Sequence, residues 1–228
     1  MICANLLNNL EKINIMTQSR FNIFNIIFVV LASIIAALGF LYNSTDAILG
    51  SMIVSSLTNP LFTFVILFLI NQYTNSIYKL FNFGFLFIIA IIVSVTIGYM
   101  NQSYKVFNTP THEMKTRVKI SHVIIDVILA LLSGFGLGIA LINKDIVSKV
   151  GFNIILAVTP PVVNFGLFYG QALFKYLHKN DQKKNNGNII KELMENGNRS
   201  LILSGLNILA MFLTLFLTVT ILCKVNNN

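Results

Sequence analysis

Gly50-Ser-Met-Ile-Val-Ser-Ser-Leu-Thr-Asn-Pro60-Leu-Phe-Thr-Phe64 and Gly151-Phe-Asn-Ile-Ile-Leu-Ala-Val-Thr-Pro-Pro161-Val-Val-Asn-Phe165 read as two copies of one device, a polar, proline-broken helix set in hydrophobic sequence. Laid one on the other, Gly50 meets Gly151, Ile53 meets Ile154, Thr58 meets Thr159, Pro60 meets Pro161 and Phe64 meets Phe165. A proline inside a helix removes one amide hydrogen and displaces the carbonyl of the preceding turn. In hydrocarbon such a break persists only where protein or water satisfies the freed groups. Paired interruptions in corresponding halves of a membrane chain therefore point to a binding or conduction site.

The surrounding sequence is that of a membrane protein. Hydrophobic residues make up 55% of the chain and charged residues only 11%, against roughly a quarter charged in soluble domains. Apolar runs long enough to cross a hydrocarbon layer of ~30 Å recur throughout. Six spans are expected, at 21–42, 45–71, 79–99, 122–142, 150–176 and 200–223. Tyr42, Tyr73, Tyr78, Tyr99 and Tyr176 fall at their ends, where amphipathic rings favour the headgroup level. The expected fold is thus all-α and polytopic, an integral, multi-pass membrane domain over 21–224 preceded by a segment, 1–20, whose Leu6, Leu7, Leu10, Ile13 and Met16 suit a short interfacial helix.

The net charge of +8 is topological rather than a sign of nucleic-acid binding, because membrane proteins gather Lys and Arg in cytoplasmic loops. Lys105, Lys115, Arg117 and Lys119 form one cluster; Lys175, Lys179, Lys183, Lys184, Lys191 and Arg199 form the other. Six spans put both loops, 100–121 and 177–199, on one side, with both termini opposite. The second loop is expected to be solvated, with a short amphipathic turn at 189–194; its Lys run reads as plain positive-inside flanking charge, with contact to anionic headgroups as the alternative.

The repeat extends beyond the breaks. Leu31-Ala-Ser-Ile-Ile-Ala-Ala-Leu-Gly-Phe-Leu-Tyr-Asn43 precedes the first, and Leu131-Leu-Ser-Gly-Phe-Gly-Leu-Gly-Ile-Ala-Leu-Ile-Asn143 precedes the second. Each half then reads as small-residue helix, tight polar turn, broken helix and third helix, over about 21–99 and 122–223. Three crossings per copy is odd, so the second copy enters from the opposite side and the expected arrangement is two inverted three-helix repeats. Ala32, Ser33, Ala36 and Ala37, like Gly134, Gly136, Gly138 and Ala140, let helix backbones approach; GxxxG at 134–138 reads as packing between the two repeats rather than as a dimer motif.

Pro60 and Pro161 are each expected at the first position of a second half-helix, capped nearby by Asn59 or Thr159. The break offers amides with partial positive charge on one side and free carbonyls on the other. Ser51, Ser55 and Thr58 share a helical face, Asn153 and Asn164 bracket the second break, and Asn207 lies in the last span. The expected substrate- or ion-binding set is Ser55, Thr58, Asn59, Pro60, Thr159, Pro160, Pro161, Asn164 and Asn207. The plainer reading is a pair of kinks whose hydroxyls bond back to the preceding turn. Asp126 with His122 one turn earlier is a candidate proton relay, since intramembrane acids mark functional sites; snorkelling or pairing with Arg117 or Lys119 competes with it. Asp46 suits the first turn of the broken helix.

No GxxxxGK[ST], HExxH, GxSG or GxGD motif occurs, and His112 and His178 stand without partners, so no enzymatic activity and no cofactor are expected. Cys3 and Cys223 lie at opposite ends of the chain, which gives neither a metal site nor a disulfide framework. The expected partners are membrane lipids and a small solute or ion, with no nucleic acid; a homo-oligomer is compatible with the small-residue faces.

Ala32-Ser-Ile-Ile-Ala-Ala-Leu-Gly39, Asn43-Ser44 and Ile48-Leu-Gly-Ser-Met-Ile-Val-Ser-Ser-Leu-Thr-Asn-Pro60 together resemble the signature of domain of unknown function family 389, the uncharacterised hydrophobic domain proteins. That family typically reads A-S-I-I-A-A-L-G-L, N-S, then I-G-A-M-L-I-A-P-L-M-x-P. In the second half, Arg117, Asp126, the 133–138 glycines, Val158-Thr-Pro-Pro161 and Asn207-Ile-Leu-Ala210 agree in order. Ser56 stands where the family pattern has a proline, Gly50-Ser51-Met52 replaces Gly-Ala-Met, and the amino-terminal soluble domain of many relatives has no counterpart here. The resemblance implies a kind of membrane protein and no particular cargo. The leading expectation is a transporter or channel for a small solute or ion. The alternatives are a non-transporting assembly or lipid-organising protein, and re-entrant rather than spanning broken helices.

Overall fold

A computed structural model describes residues 23–69, 71–142, 148, 151–152, 158–178 and 186–225. The amino-terminal segment and Asn153 therefore lie outside the described residues. The elements used here are α1 (Ile23–Leu41), α2 (Thr45–Val54), α3 (Asn59–Leu69), α4 (Tyr73–Tyr104), α5 (His112–Thr116), α6 (Ile120–Ile142), α7 (Thr159–Leu177) and α8 (Asn186–Val225). No strand occurs among the described residues.

Four helices, α1, α4, α6 and α8, are each long and apolar enough to cross a membrane; α2 and α3, bent by 45° at their break, make a fifth crossing if they form one span. The expected sixth covers 150–176, of which 150 and 153–157 lie outside the described residues. The bundle is dressed for lipid. Ile27, Phe81, Ile88, Ile124, Leu132 and Ile202 face outward, while Ser33, Ser94, Ser133, Asn164, Ser204 and Asn207 are buried. That inversion fits a solvent as apolar as the side chains themselves.

α1 and α2 form a hairpin. Asn43 takes a left-handed conformation, φ 62°, and the Ser44 hydroxyl accepts from Ala47 N at 3.3 Å with Asp46 in the first turn of α2, a cap and a favourable dipole charge together. Gly39 allows the close return: a Cβ there would lie 2.9 Å from Ile48 Cγ1.

α7 is the hub, packed on α4, α8, α1 and α2. Its crossing with α4 is a glycine seam. Added Cβ atoms would strike Leu167 at Gly98, Ser94 at Gly166, and Val95 and Tyr99 at Gly170. The pairings climb both helices together, so α7 runs parallel to α4. Against α8 the order reverses: Gly197 meets Tyr169, and Asn164 meets Ser200, so these two run antiparallel. α6 runs parallel to α8, because Gly134 lies on Met211 and Thr214, and Gly138 lies on Thr218. The GxxxG thus packs within the second half, against its last helix, not between the halves as expected. The halves instead meet through α4–α7 and, more loosely, through the ring pairs Phe64–Phe212 and Phe68–Phe216 of α3 and α8, at 5.7 and 6.3 Å.

Both basic connections emerge at the same end of the bundle, where α4 and α7 finish, yet neither is wholly a solvated loop. α4 starts at 73 rather than 79 and continues to 104. Residues 186–199 are helical and extend the last span, because Ile190, Leu193 and Gly197 form an inward stripe against α7. The polar residues between them, including the Lys191–Glu195 pair at 4.0 Å, face water. Between α4 and α6 the chain turns inward: Met114 of α5 is fully buried beside Phe40, Leu167 and Phe168.

Candidate functional site

The first break occupies Ser55–Thr58, between α2 and α3. Ser55 and Thr58 are therefore not on a helical face, as expected, but in the break itself. Ser55 is extended, φ −67° and ψ 124°, and its N–H still donates to Ser51 O. The break satisfies much of its own backbone. Leu57 N donates to Ser55 Oγ, Asn59 N to Ser56 O, and both Leu61 N and Phe62 N to Thr58 O. Ser56 Oγ ties the turn to α1 by donating to Asn25 O at 3.2 Å. Ser51 Oγ donates to Ile48 O at 2.6 Å, back along its own helix. Pro60 is the second residue of α3 rather than the first, still within the turn where its missing N–H costs nothing.

The second break differs. α7 begins Thr159-Pro160-Pro161 with no side-chain cap on Val158. Two prolines at the start delete two of the donors that a helix N-terminus normally offers. An anion held by free amides is therefore disfavoured at this end, and the chemistry falls to side chains.

Those side chains converge. Ser55 Oγ and Thr159 Oγ1 lie 2.7 Å apart, buried, so the two breaks are joined by a hydroxyl–hydroxyl bond across 104 residues of sequence. Thr58, Thr159, Pro160 and Pro161 are buried around it. One turn along α7, Asn164 Nδ2 donates to Met114 O at 3.1 Å and to Ser200 Oγ at 3.0 Å. Its Oδ1 is buried without a partner. On α8, Ser200, Ser204 and Asn207 fall on one face, and all three are buried. The antiparallel register set by Tyr169–Gly197 and Asn164–Ser200 brings Ser204 and Asn207 level with the start of α7. Ser204 Oγ and both amide atoms of Asn207 have no hydrogen-bond partner. A carboxamide buried with all its groups unmet is costly, about 1–3 kcal/mol per group, so such an arrangement asks for a reason.

Asn59 and Pro60 belong to a second polar feature. With Asn25, Thr63, Lys79 and Asn82 they line a cavity of about 20 Å³ beside the first break. Lys79 is only 3% exposed. Thr63 Oγ1 donates to Asn59 O at 3.0 Å, and Ser76 Oγ, one turn before Lys79, donates to Phe64 O. Lys79 did not feature among the expected site residues, because a lysine at a span boundary reads as flanking charge. The signal was its spacing: Ser76, Lys79, Phe83, Leu86, Ala90, Ser94 and Gly98 are one buried face of α4.

His122 stands near enough to Asp126 to act on it through space but is not bonded to it. His122 is exposed, Asp126 is half-buried on α6, and no hydrogen bond or ion pair links them. Arg117, the competing partner, also acts on Asp126 through space, while it pairs with Glu113 at 3.5 Å and stacks over the Phe40 ring. No cluster of metal-ligating side chains occurs among the described residues.

The family model described as Domain of unknown function (DUF389) matches residues 52–213, which takes in both breaks, the glycine seam and Asn207. The chain belongs to this family. No curated protein and no solved structure matches it. Membership thus brings a fold-level kinship and no substrate, and function must be argued from the buried polar groups themselves.

Proposed function

We propose that this protein is a transporter or channel for a small solute or ion, with its site where the two broken helices meet. The observation that carries the reading is the buried carboxamide of Asn207, with no partner on either amide atom, set by register beside the Ser55–Thr159 hydroxyl pair. Structural polar groups in a membrane bundle find partners; groups that recruit a passing solute keep hydrogen-bonding capacity in hand. The ligands offered are hydroxyls and carboxamides, each able to donate or accept, which suits a dehydrated cation or a small neutral polar solute at this point. The reading extends to the whole architecture as two inverted repeats. α1, α2–α3 and α4 alternate in direction, and α6, α7 and α8 alternate in the opposite sense, as such a repeat requires.

A proteoliposome flux screen over monovalent cations, anions and small polar solutes tests the proposal. Wild-type protein should pass at least one of them, and Asn207→Leu and the Ser55→Ala/Thr159→Val pair should abolish that flux without loss of folded protein. Equal flux from all three proteins, or none from wild type against any solute, would instead favour a non-transporting assembly or lipid-organising role.

A further inference from the structure

Asp126 stands less than two turns into α6, a helix apolar enough to cross a membrane. It shares a helical face with Ala130, Ser133 and Leu137, all buried, so its half-buried carboxylate belongs to the inward side of α6 rather than to lipid. Arg117 and His122 act on it through space. Neither forms an ion pair with it: the Arg117 guanidinium is held by Glu113, and His122 is exposed. Among the described residues no side chain or backbone group hydrogen-bonds to the carboxylate. An acid kept inside a membrane helix without a bonded partner is a functional signal.

The α6–α8 seam fixes what lies level with it. Gly134 rests on Met211 and Thr214, and Gly138 on Thr218, with the helices parallel. Two turns back from these contacts, about 11 Å along each axis, stand Asp126 and Val127 on α6 and Ser204 and Asn207 on α8. Ser204, Asn207, Met211, Thr214 and Thr218 recur at helical spacing, so they form one face of α8, the face that meets α6. Ser204 and Asn207 are fully buried, and the Ser204 hydroxyl and both amide atoms of Asn207 have no partner. One level of the seam therefore carries an unbonded carboxylate, an unbonded hydroxyl and an unbonded carboxamide. All three present oxygen.

One negative charge with neutral oxygens suits one positive charge. A calcium-type ion takes six to eight oxygens and more carboxylate charge, and a transition metal asks for imidazole or thiolate, of which the described residues hold no cluster. The glycine contacts two turns on keep the helix backbones close, which favours a small bare ion over a hydrated or organic one. We propose that Asp126, with Ser204 and Asn207, binds a dehydrated monovalent alkali cation of sodium size between α6 and α8. Asp126 supplies the charge; Ser204 Oγ and Asn207 Oδ1 supply neutral oxygens. The site gives the transport reading a substrate class and rests on that reading for any passage of the ion, but binding is a separate equilibrium and is measured separately.

Equilibrium binding of radiolabelled sodium to the detergent-purified full chain, in choline chloride buffer, is the experiment. Wild type should bind about one sodium ion per chain, displaced by lithium and not by choline. Asp126→Asn keeps the shape and removes the charge, and should weaken binding by at least about tenfold. Ser204→Ala keeps the charge and removes one oxygen; it should weaken binding severalfold and serves where Asp126→Asn does not fold. Glu195→Gln, on the exposed side of the α8 extension, should leave binding unchanged. Absence of saturable sodium binding to wild type, or wild-type affinity in both Asp126→Asn and Ser204→Ala, overturns the proposal. Sodium binding without flux of any solute sinks the transport reading and leaves this site standing; flux without sodium binding does the reverse.

Discussion

The two broken helices solve the same problem in different ways. The first break is largely self-contained: Ser55 Oγ, Ser56 O and Thr58 O accept the local amides, and one bond from Ser56 reaches α1. The described side of the second is held from outside. Its start has two prolines and no cap, and its polar side chain, Asn164, bonds to Met114 of α5 and Ser200 of α8. The first is a local turn that tertiary structure surrounds; the described side of the second, the start of α7, is fastened by tertiary bonds. Among the described residues, the Ser55–Thr159 bond couples the two.

That contrast is breakable by substitution. Asn164→Leu should have the largest effect, because it leaves Met114 O and Ser200 Oγ without their bond in a buried site. A loss of about 3 kcal/mol is expected, with new protease cleavage within 105–119, measured by thermal unfolding in detergent and limited proteolysis. Cleavage confined to 55–58 would invert the comparison. Asn207→Leu should act in the opposite direction. It exchanges a partnerless carboxamide for an apolar group of similar volume and should raise stability by about 1–2 kcal/mol while abolishing flux; a destabilised variant would mean that the amide has a structural partner.

A double-mutant cycle of Ser55→Ala and Thr159→Val should give a coupling energy of about 1 kcal/mol. A value near zero would show that the two breaks touch without supporting one another. Ser56→Pro restores the family pattern and should change stability by less than about 1 kcal/mol. The preceding Ser55 is already extended, as a residue before proline must be, and only the bond to Asn25 O is lost. A larger loss would show that the first break leans on α1 more than its own hydrogen bonds suggest.

Much of this was legible in the residues. Pro60, Pro161 and the polar runs before them located both breaks, and Ser55, Thr159, Asn164 and Asn207 were all named. What sequence could not provide was partnership. Nothing local to Ser55 points to Thr159, and nothing in a polar 105–119 stretch announces that Met114 will be buried, because one methionine in a short helix has no periodicity to betray it. Residues 186–199 read as loop because Lys, Glu and Asn outnumber the Ile190–Leu193–Gly197 stripe. Lys79 was obscured by the opposite rule, that charges near span ends snorkel. Its buried spacing with Ser76 and Phe83 becomes meaningful only once α4 is known to begin at Tyr73.

The inward fold of α5 carries a consequence for how the bundle is approached from that end. The Met114 carbonyl occupies Asn164, while Thr111 Oγ1 donates to Phe40 O and Glu113 N to Asn43 Oδ1. The same short strand of chain is therefore clasped by the first hairpin and by the hub helix at once, like a bolt through two leaves of a door. On the transport reading proposed above, a ligand that took the Asn164 amide donor from this side would do so by displacing the Met114 carbonyl, so ligand and backbone would compete for one donor.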